Sequence, residues 1–224
     1  MSRILYLHGL SAGPNGTKSR FLRETGRHIV FSPRMPYRNQ WGQLLRGSLQ
    51  ECVAFALDTI QKEKPEVIVG SSLGGAVALR LDTATPLVLL APAIRASPRG
   101  ILETWANRRR PQLARVLRWL PEFSIKVVSV KNLPARTVIL HCRNDTWVPF
   151  KTSWDLLRRF PGSSGPDNPE ITKTIETIEL GVLNWDSNRT ACQPGRLVGT
   201  GQDHRLSDSA SLDLMDQAVR LVTN

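Results

Sequence analysis

Short apolar runs and amphipathic stretches take turns along this chain. Ile4–Leu7, His28–Phe31, Val67–Val69, Leu87–Leu90, Val138–Leu140 and Arg196–Val198 are runs of strand length, several of them bounded by Gly, Pro, Asn or Asp. Between them the apolar residues recur at three and four. Trp41, Leu44, Leu45, Leu49, Cys52, Val53, Ala56 and Ile60 predict a helix from Trp41 to about Lys62. Shorter helices are predicted from Lys18 to about Thr25, over Ala76–Leu81 and over Ser153–Phe160. A final one covers Ser209–Val222, with Leu212, Met215, Val219 and Val222 on its inner face. Strands that alternate with helices predict an α/β chain: one domain over 1–224, three layers deep, with a mainly parallel sheet and helices on both faces.

The alternation breaks from Arg95 to about Leu133. An Arg-rich helix at about Pro111–Leu120 makes this segment a small cap insertion, around 95–133. Pro161–Pro169 reads as a loop, and Ile171–Leu180 alternates as a strand does.

Charge adds one question. Thirty Lys and Arg stand against 19 acids, a net charge of +11, and residues 95–118 hold seven arginines and one acid. A solvated basic face accounts for this. Attraction of an anionic substrate, nucleic acid or anionic lipid is the alternative. The aromatic–basic interleaving of single-strand binders is missing, as are helix-turn-helix and zinc patterns, so no nucleic-acid partner is expected. Cys52, Cys142 and Cys192 lie far apart without CxxC spacing and read as reduced thiols. No secretory h-region follows Met1, and no apolar run nears the roughly 20 residues of a membrane span. The expectation is a cytoplasmic protein with no membrane span.

Gly70-Ser71-Ser72-Leu73-Gly74 fits G-x-S-x-G, between an apolar strand and a helix, the context this turn requires. A strand that turns sharply into a helix presses its neighbours against the nucleophile's backbone, and only small residues fit there. Ser72 is therefore the candidate nucleophile, held in a strained conformation with its hydroxyl raised into the cleft. Ser71 is a poorer candidate, because its glycine flanks are out of register.

His8-Gly9-Leu10 follows the first strand directly. Loops in this position supply one oxyanion donor, and the amide after the nucleophile supplies the other. Those donors are the backbone N–H groups of Leu10 and Leu73. The same loop runs into Gly-Pro-Asn-Gly-Thr-Lys-Ser, which looks like a phosphate-binding loop. The order GxxxxGK[ST] nevertheless puts Ala12 and Thr17 where glycines belong. Lys18 is then a first-turn surface lysine.

A serine hydroxyl needs a base, and the base needs a carboxylate to orient it. There are four histidines. His8 lies in the oxyanion loop, His28 starts a strand, and His141 ends one. His204 lies in a Gly-bearing loop behind a short strand and is the only histidine downstream of the acid candidates, so it is the base. Asp145, just past the strand that ends near Leu140, is the acid. Asp155 falls within a helix, Asp186 lies in an irregular insert, and Asp203 is too close to His204. The chain order Ser72, Asp145, His204 differs from the orders of chymotrypsin and subtilisin.

With LYLHGLSAGPNGTKS, VIVGSSLGGAVAL, VILHCRNDTWVP and GTGQDHRLS in this order, the chain resembles the α/β-hydrolase superfamily, most of all its small bacterial serine esterases. The resemblance implies the three-layer α/β-hydrolase fold, a Ser–His–Asp triad and no metal or organic cofactor. It implies hydrolysis of a small-molecule carboxylic ester or thioester through an acyl-enzyme. An acyltransferase on the same scaffold, or a non-catalytic protein that binds through the basic segment, are the alternatives. Two departures stand out: the long Asp145–His204 interval, which puts an insert between Phe160 and Pro194, and the Arg-rich cap. Trp105, Trp119 and Leu120 either line an acyl pocket or pack the cap onto the core.

Overall fold

The computed structural model describes residues 1–10, 12–37, 49–95, 130, 133–134, 136–157, 159, 196–201 and 203–223. Apart from residues 95, 130 and 133, the predicted cap lies outside them, as do the Ile171–Leu180 stretch, Asp186 and the first part of the Trp41 helix.

Six parallel strands form one sheet in the order β2-β1-β3-β4-β5-β6. They are β1 Ser2–Leu7, β2 His28–Phe31, β3 Val67–Ser71, β4 Leu87–Leu90, β5 Thr137–His141 and β6 Arg196–Gly199. The helices are α1 Thr17–Glu24, α2 Leu49–Glu63, α3 Leu73–Ala78, α4 Phe150–Leu157 and α5 Ser209–Thr223. Strand side chains alternate between two faces, and each face has its own core. Leu5, Leu7, Ile68, Leu89 and Ile139 pack beneath α2, α3 and α4. Ile4, Tyr6, Val69, Val88, Leu140 and Val198 pack beneath α1 and α5. The central strands are buried on both sides, which explains why they read as continuous apolar runs.

The order places β1 between β2 and β3. The chain leaves β1 to one side and later returns to its other side, which makes the β1/β3 boundary a topological switch point. A crevice opens beyond the carboxyl ends of the strands at such a point. Register brings those ends level: Leu7 pairs with Gly70, Ser71 with Leu90, Leu90 with Leu140 and His141 with Gly199.

Two helices start earlier than the periodicity predicts. α3 begins at Leu73 rather than Ala76, because Ser72 turns the chain at positive φ and the helix follows at once. α4 begins at Phe150 rather than Ser153. The Pro149 carbonyl accepts both the amide and the hydroxyl of Thr152 at 2.8 Å, which closes the first turn directly behind the proline.

Candidate active site

The turn after β3 is built by backbone proximity. Ser72 stands at φ 51° and ψ −112°, a strained conformation for a side-chain-bearing residue. The turn is held by main-chain bonds: Ser72 N–H donates to Leu90 at 2.8 Å, and the Ser72 carbonyl accepts from Ala76 at 3.1 Å and Ala93 at 2.9 Å. A Cβ on Gly74 would collide with the Leu7 carbonyl, and one on Gly70 would meet the Gly74 oxygen at 2.8 Å. The nucleophile turn is thus wedged against β1 as well as against its own helix. Ser71 is buried, and the alternation along β3 puts its side chain on the face of Val67 and Val69, opposite α3.

The structure brings Ser72, His204 and Asp145 into one hydrogen-bonded chain. Ser72 Oγ lies 2.9 Å from His204 Nε2, and His204 Nδ1 lies 2.6 Å from Asp145 Oδ2. The His204 side chain is 13% exposed and that of Asp145 is fully buried. Bonding to a buried carboxylate gives the ring its tautomer: Nδ1–H donates to Asp145, so Nε2 is left to accept from Ser72.

Asp145 has no spare lone pair directed at solvent. Its Oδ1 accepts the amides of Trp147 at 2.8 Å and Val148 at 2.9 Å. Its Oδ2 takes His204 and also His141 Nε2 at 3.2 Å. Burial pushes this carboxyl up, but the hydrogen bonds from His141 and His204, the charge of His204 and the Val148 amide outweigh it. The group is held well below the usual carboxylate range.

The loop behind β1 closes the other side of the cleft. A Cβ on Gly9 would stand 3.3 Å from Ser72 Cβ, so the backbone passes against Ser72. Leu10 follows it and is half-buried against the core, while Leu73 opens α3 on the far side of Ser72. His8 supports this loop. It is buried, its Nε2 accepts the Met35 amide at 3.3 Å, and its Nδ1 faces the Gly9 carbonyl at 2.9 Å. The Tyr37 hydroxyl donates to the His8 carbonyl.

The loop that carries His204 turns on Gly201, at φ +82°, where a Cβ would meet Ser211 Oγ at 2.8 Å. Asp203 is exposed and accepts the Arg205 amide at 2.8 Å, and Asp155 pairs with Lys151 at 2.8 Å. Neither reaches the imidazole of His204. Lys18, expected on the surface, is half-buried beside this loop. Burial pushes its ammonium down to about 8, opposed by the charge of Asp203 and reinforced by Arg205.

Two features carry no sequence signal: the second histidine on Asp145, and the indole of Trp147 stacked on His204. Both follow from how residues 142–148 turn. Among the described residues no cluster of His, Cys, Asp or Glu is arranged to hold a metal ion, and no helix is long and apolar enough to cross a membrane.

A family model described as the alpha/beta hydrolase family matches residues 4–222. Three solved structures illustrate the likeness in shape. The mouse alpha/beta hydrolase domain-containing protein 10 is 16% identical with a TM-score of 0.62, over 97% of this chain and 88% of that one. A monoacylglycerol lipase from Paleococcus ferrophilus is 14% identical with a TM-score of 0.61, over 99% and 93%. A serine hydrolase from Cycloclasticus zankles is 14% identical with a TM-score of 0.53, over 90% and 81%. No curated protein sequence matches the chain.

Proposed function

The chain belongs to the alpha/beta hydrolase family, and from that premise we propose that it is a serine hydrolase that cleaves a carboxylic ester or thioester through an acyl-enzyme. One observation carries the proposal: the continuous hydrogen-bond chain from Ser72 Oγ through His204 to the buried Asp145. The strained backbone of Ser72 and its place at the switch point of the sheet support it.

In this reading Ser72 Oγ attacks the acyl carbonyl while its proton passes to His204 Nε2. Asp145 stabilises the imidazolium that forms and keeps the ring in place. The backbone N–H groups of Leu10 and Leu73 receive the oxyanion, each worth about 2.7–4 kcal/mol in the transition state. The imidazolium then protonates the leaving alcohol or thiol as the tetrahedral adduct collapses. Water next attacks the acyl-serine and gives its proton to His204. A second collapse releases the acid and returns the proton to Ser72.

Turnover of p-nitrophenyl esters of increasing chain length, wild type beside Ser72→Ala, tests this. Activity that disappears in the folded variant, together with fluorophosphonate labelling of the wild type at Ser72, is the expected result. Equal rates in both proteins and no labelling overturn it. Acyl transfer to an added alcohol at the expense of hydrolysis would redirect the reading to the transferase alternative.

A further inference from the structure

His141 closes β5 and lies entirely inside the protein. Its ring rests against Phe150 in an edge-on contact, with centroids 5.6 Å apart. Both nitrogens are used. Nε2 faces the Val148 carbonyl at 2.9 Å and Asp145 Oδ2 at 3.2 Å, while Nδ1 faces Ser153 Oγ at 2.7 Å. Val148 O and an ionised carboxylate only accept, so the hydrogen belongs on Nε2. Nδ1 then accepts from the Ser153 hydroxyl, which is itself buried. One neutral tautomer satisfies every partner.

We propose that His141 is a positioning residue for the acid of the site: its Nε2–H donates to Asp145 Oδ2, fixes that oxygen toward His204 and moderates its pull on the base. This rests on the reading of Ser72, His204 and Asp145 as the catalytic set. The physical case is one of satisfaction. The Asp145 side chain is out of reach of water, so solvent cannot provide the donor that His141 provides. The two backbone amides hold Oδ1, and without His141 the bond to His204 alone would restrain Oδ2. A donor on Oδ2 from the side of α4 adds a second restraint. It also shares the charge on Oδ2, which otherwise meets His204 alone.

A histidine that merely fills the core predicts something different. Its loss would cost stability and leave the chemistry of the folded enzyme unchanged. Positioning predicts that His141→Leu lowers kcat by about tenfold with little change in KM. It also predicts a shift of pH dependence. An undamped Asp145 attracts the imidazolium of His204 more strongly, so the acid limb of kcat/KM moves up by about half a pH unit. His141→Gln carries an amide N–H of similar reach and restores both. Among the described residues, other titratable and charged groups near the site include Cys142, which feels Asp145, Asp203 and Asp208, and Lys18, which feels Asp203 and Arg205. All remain in both variants, so a shift common to Leu and absent from Gln reports the His141 bond.

The experiment is a pH profile of ester turnover for wild type, His141→Leu and His141→Gln, each checked for folding by its thermal melt. Beside it stands a long-range 1H–15N spectrum of the wild type at pH 8. Expected are the drop and the shift in Leu, recovery in Gln, and a hydrogen on Nε2 of His141 whose resonance moves in Asp145→Asn. A folded Leu variant with wild-type kcat and wild-type acid limb overturns the proposal. So does a hydrogen on Nδ1, which decides the matter even where the Leu variant does not fold. A wild type with neither turnover nor fluorophosphonate labelling counts against the serine-hydrolase reading, while the spectrum still judges the His141–Asp145 bond.

Discussion

The indole of Trp147 lies parallel to the imidazole of His204, with 5.5 Å between ring centroids and 6° between planes. The same residue donates its backbone N–H to Asp145. One position thus holds Asp145 with its main chain and covers His204 with its side chain. A π-face favours a cation above it, and a half-buried site keeps that attraction from being fully screened. In the proposed mechanism the stacking therefore favours the imidazolium that forms as Ser72 attacks. Trp147→Leu keeps the backbone donor and loses the face. We expect kcat/KM to fall by about two- to fivefold, the equivalent of about 0.5–1 kcal/mol, and Trp147→Phe to recover most of it. Unchanged kinetics in the Leu variant would leave the stacking with no catalytic part.

Asp145→Asn tests the acid separately from the fold. The side chain keeps its size, and Oδ1 can still accept the two amides. An amide NH2 that replaces Oδ2 nevertheless presents a donor to both histidines. His204 is then turned to the wrong tautomer, and kcat should fall by about 10⁴-fold with folding preserved. A folded variant within tenfold of wild type would show that another carboxylate orients the base.

The wedge between β1 and the nucleophile turn predicts a contrast between two glycines. A Cβ at Gly74 runs into the Leu7 backbone, which cannot yield without opening the sheet. Gly74→Ala should cost about 3 kcal/mol or more. Gly13 has nothing within 4 Å of its virtual Cβ, and Gly13→Ala should leave stability within about 0.5 kcal/mol of wild type. Chemical denaturation of both variants reads the difference. Equal midpoints would contradict the crowding at Gly74.

At the other end of the sheet, Asp216 joins α5 to β2. Its carboxylate is 3% exposed and meets His28 at 2.8 Å, Arg27 at 2.9 Å and Arg220 at 3.1 Å. Burial pushes this carboxyl up, but the bonds from His28 and Arg27 and the charges of Arg27 and Arg220 outweigh it. The net direction is down. A group depressed in this way stabilises the fold fully above the ordinary carboxylate value of about 4, and the contribution fades as pH falls below it. Asp216→Asn should therefore be less stable at pH 7, by about 2 kcal/mol given the half-exposed arginines. The gap should narrow as the pH is lowered below 4. A gap that widens there would reverse the sign of the linkage.

The central strands can be read from their apolar runs, because a doubly covered strand has no polar face to confuse the pattern. Ser72 is legible because the turn that holds it needs glycines at fixed offsets, and these are written next to it. Asp145 and His204 are legible by their place behind strands and by the shortage of histidines. His141 is different. Its sequence position says only that it ends β5. Its bond to Asp145 exists because the chain turns back at Cys142–Asp145, with the Asp145 amide on the Cys142 carbonyl at 3.2 Å. Trp147 reaches His204 for the same reason. The Asp216–His28 pair spans 188 positions and leaves no local trace. Helix starts moved because φ at Ser72 and the carbonyl of Pro149 set them, and periodicity sees neither.

The distances along the chain between the three groups set when the site comes into being. Ser72 and His204 are 132 positions apart, and His204 and Asp145 are 59 apart. During synthesis the nucleophile turn leaves the ribosome long before its base. The central strands can pair while the chemistry is still incomplete, and competence waits until β6 docks on β5 and the loop behind it closes over Asp145. Recovery of activity after denaturation therefore reports the long-range closure that brings His204 to Ser72 and Asp145, and it should not precede the return of the sheet's own spectroscopic signal.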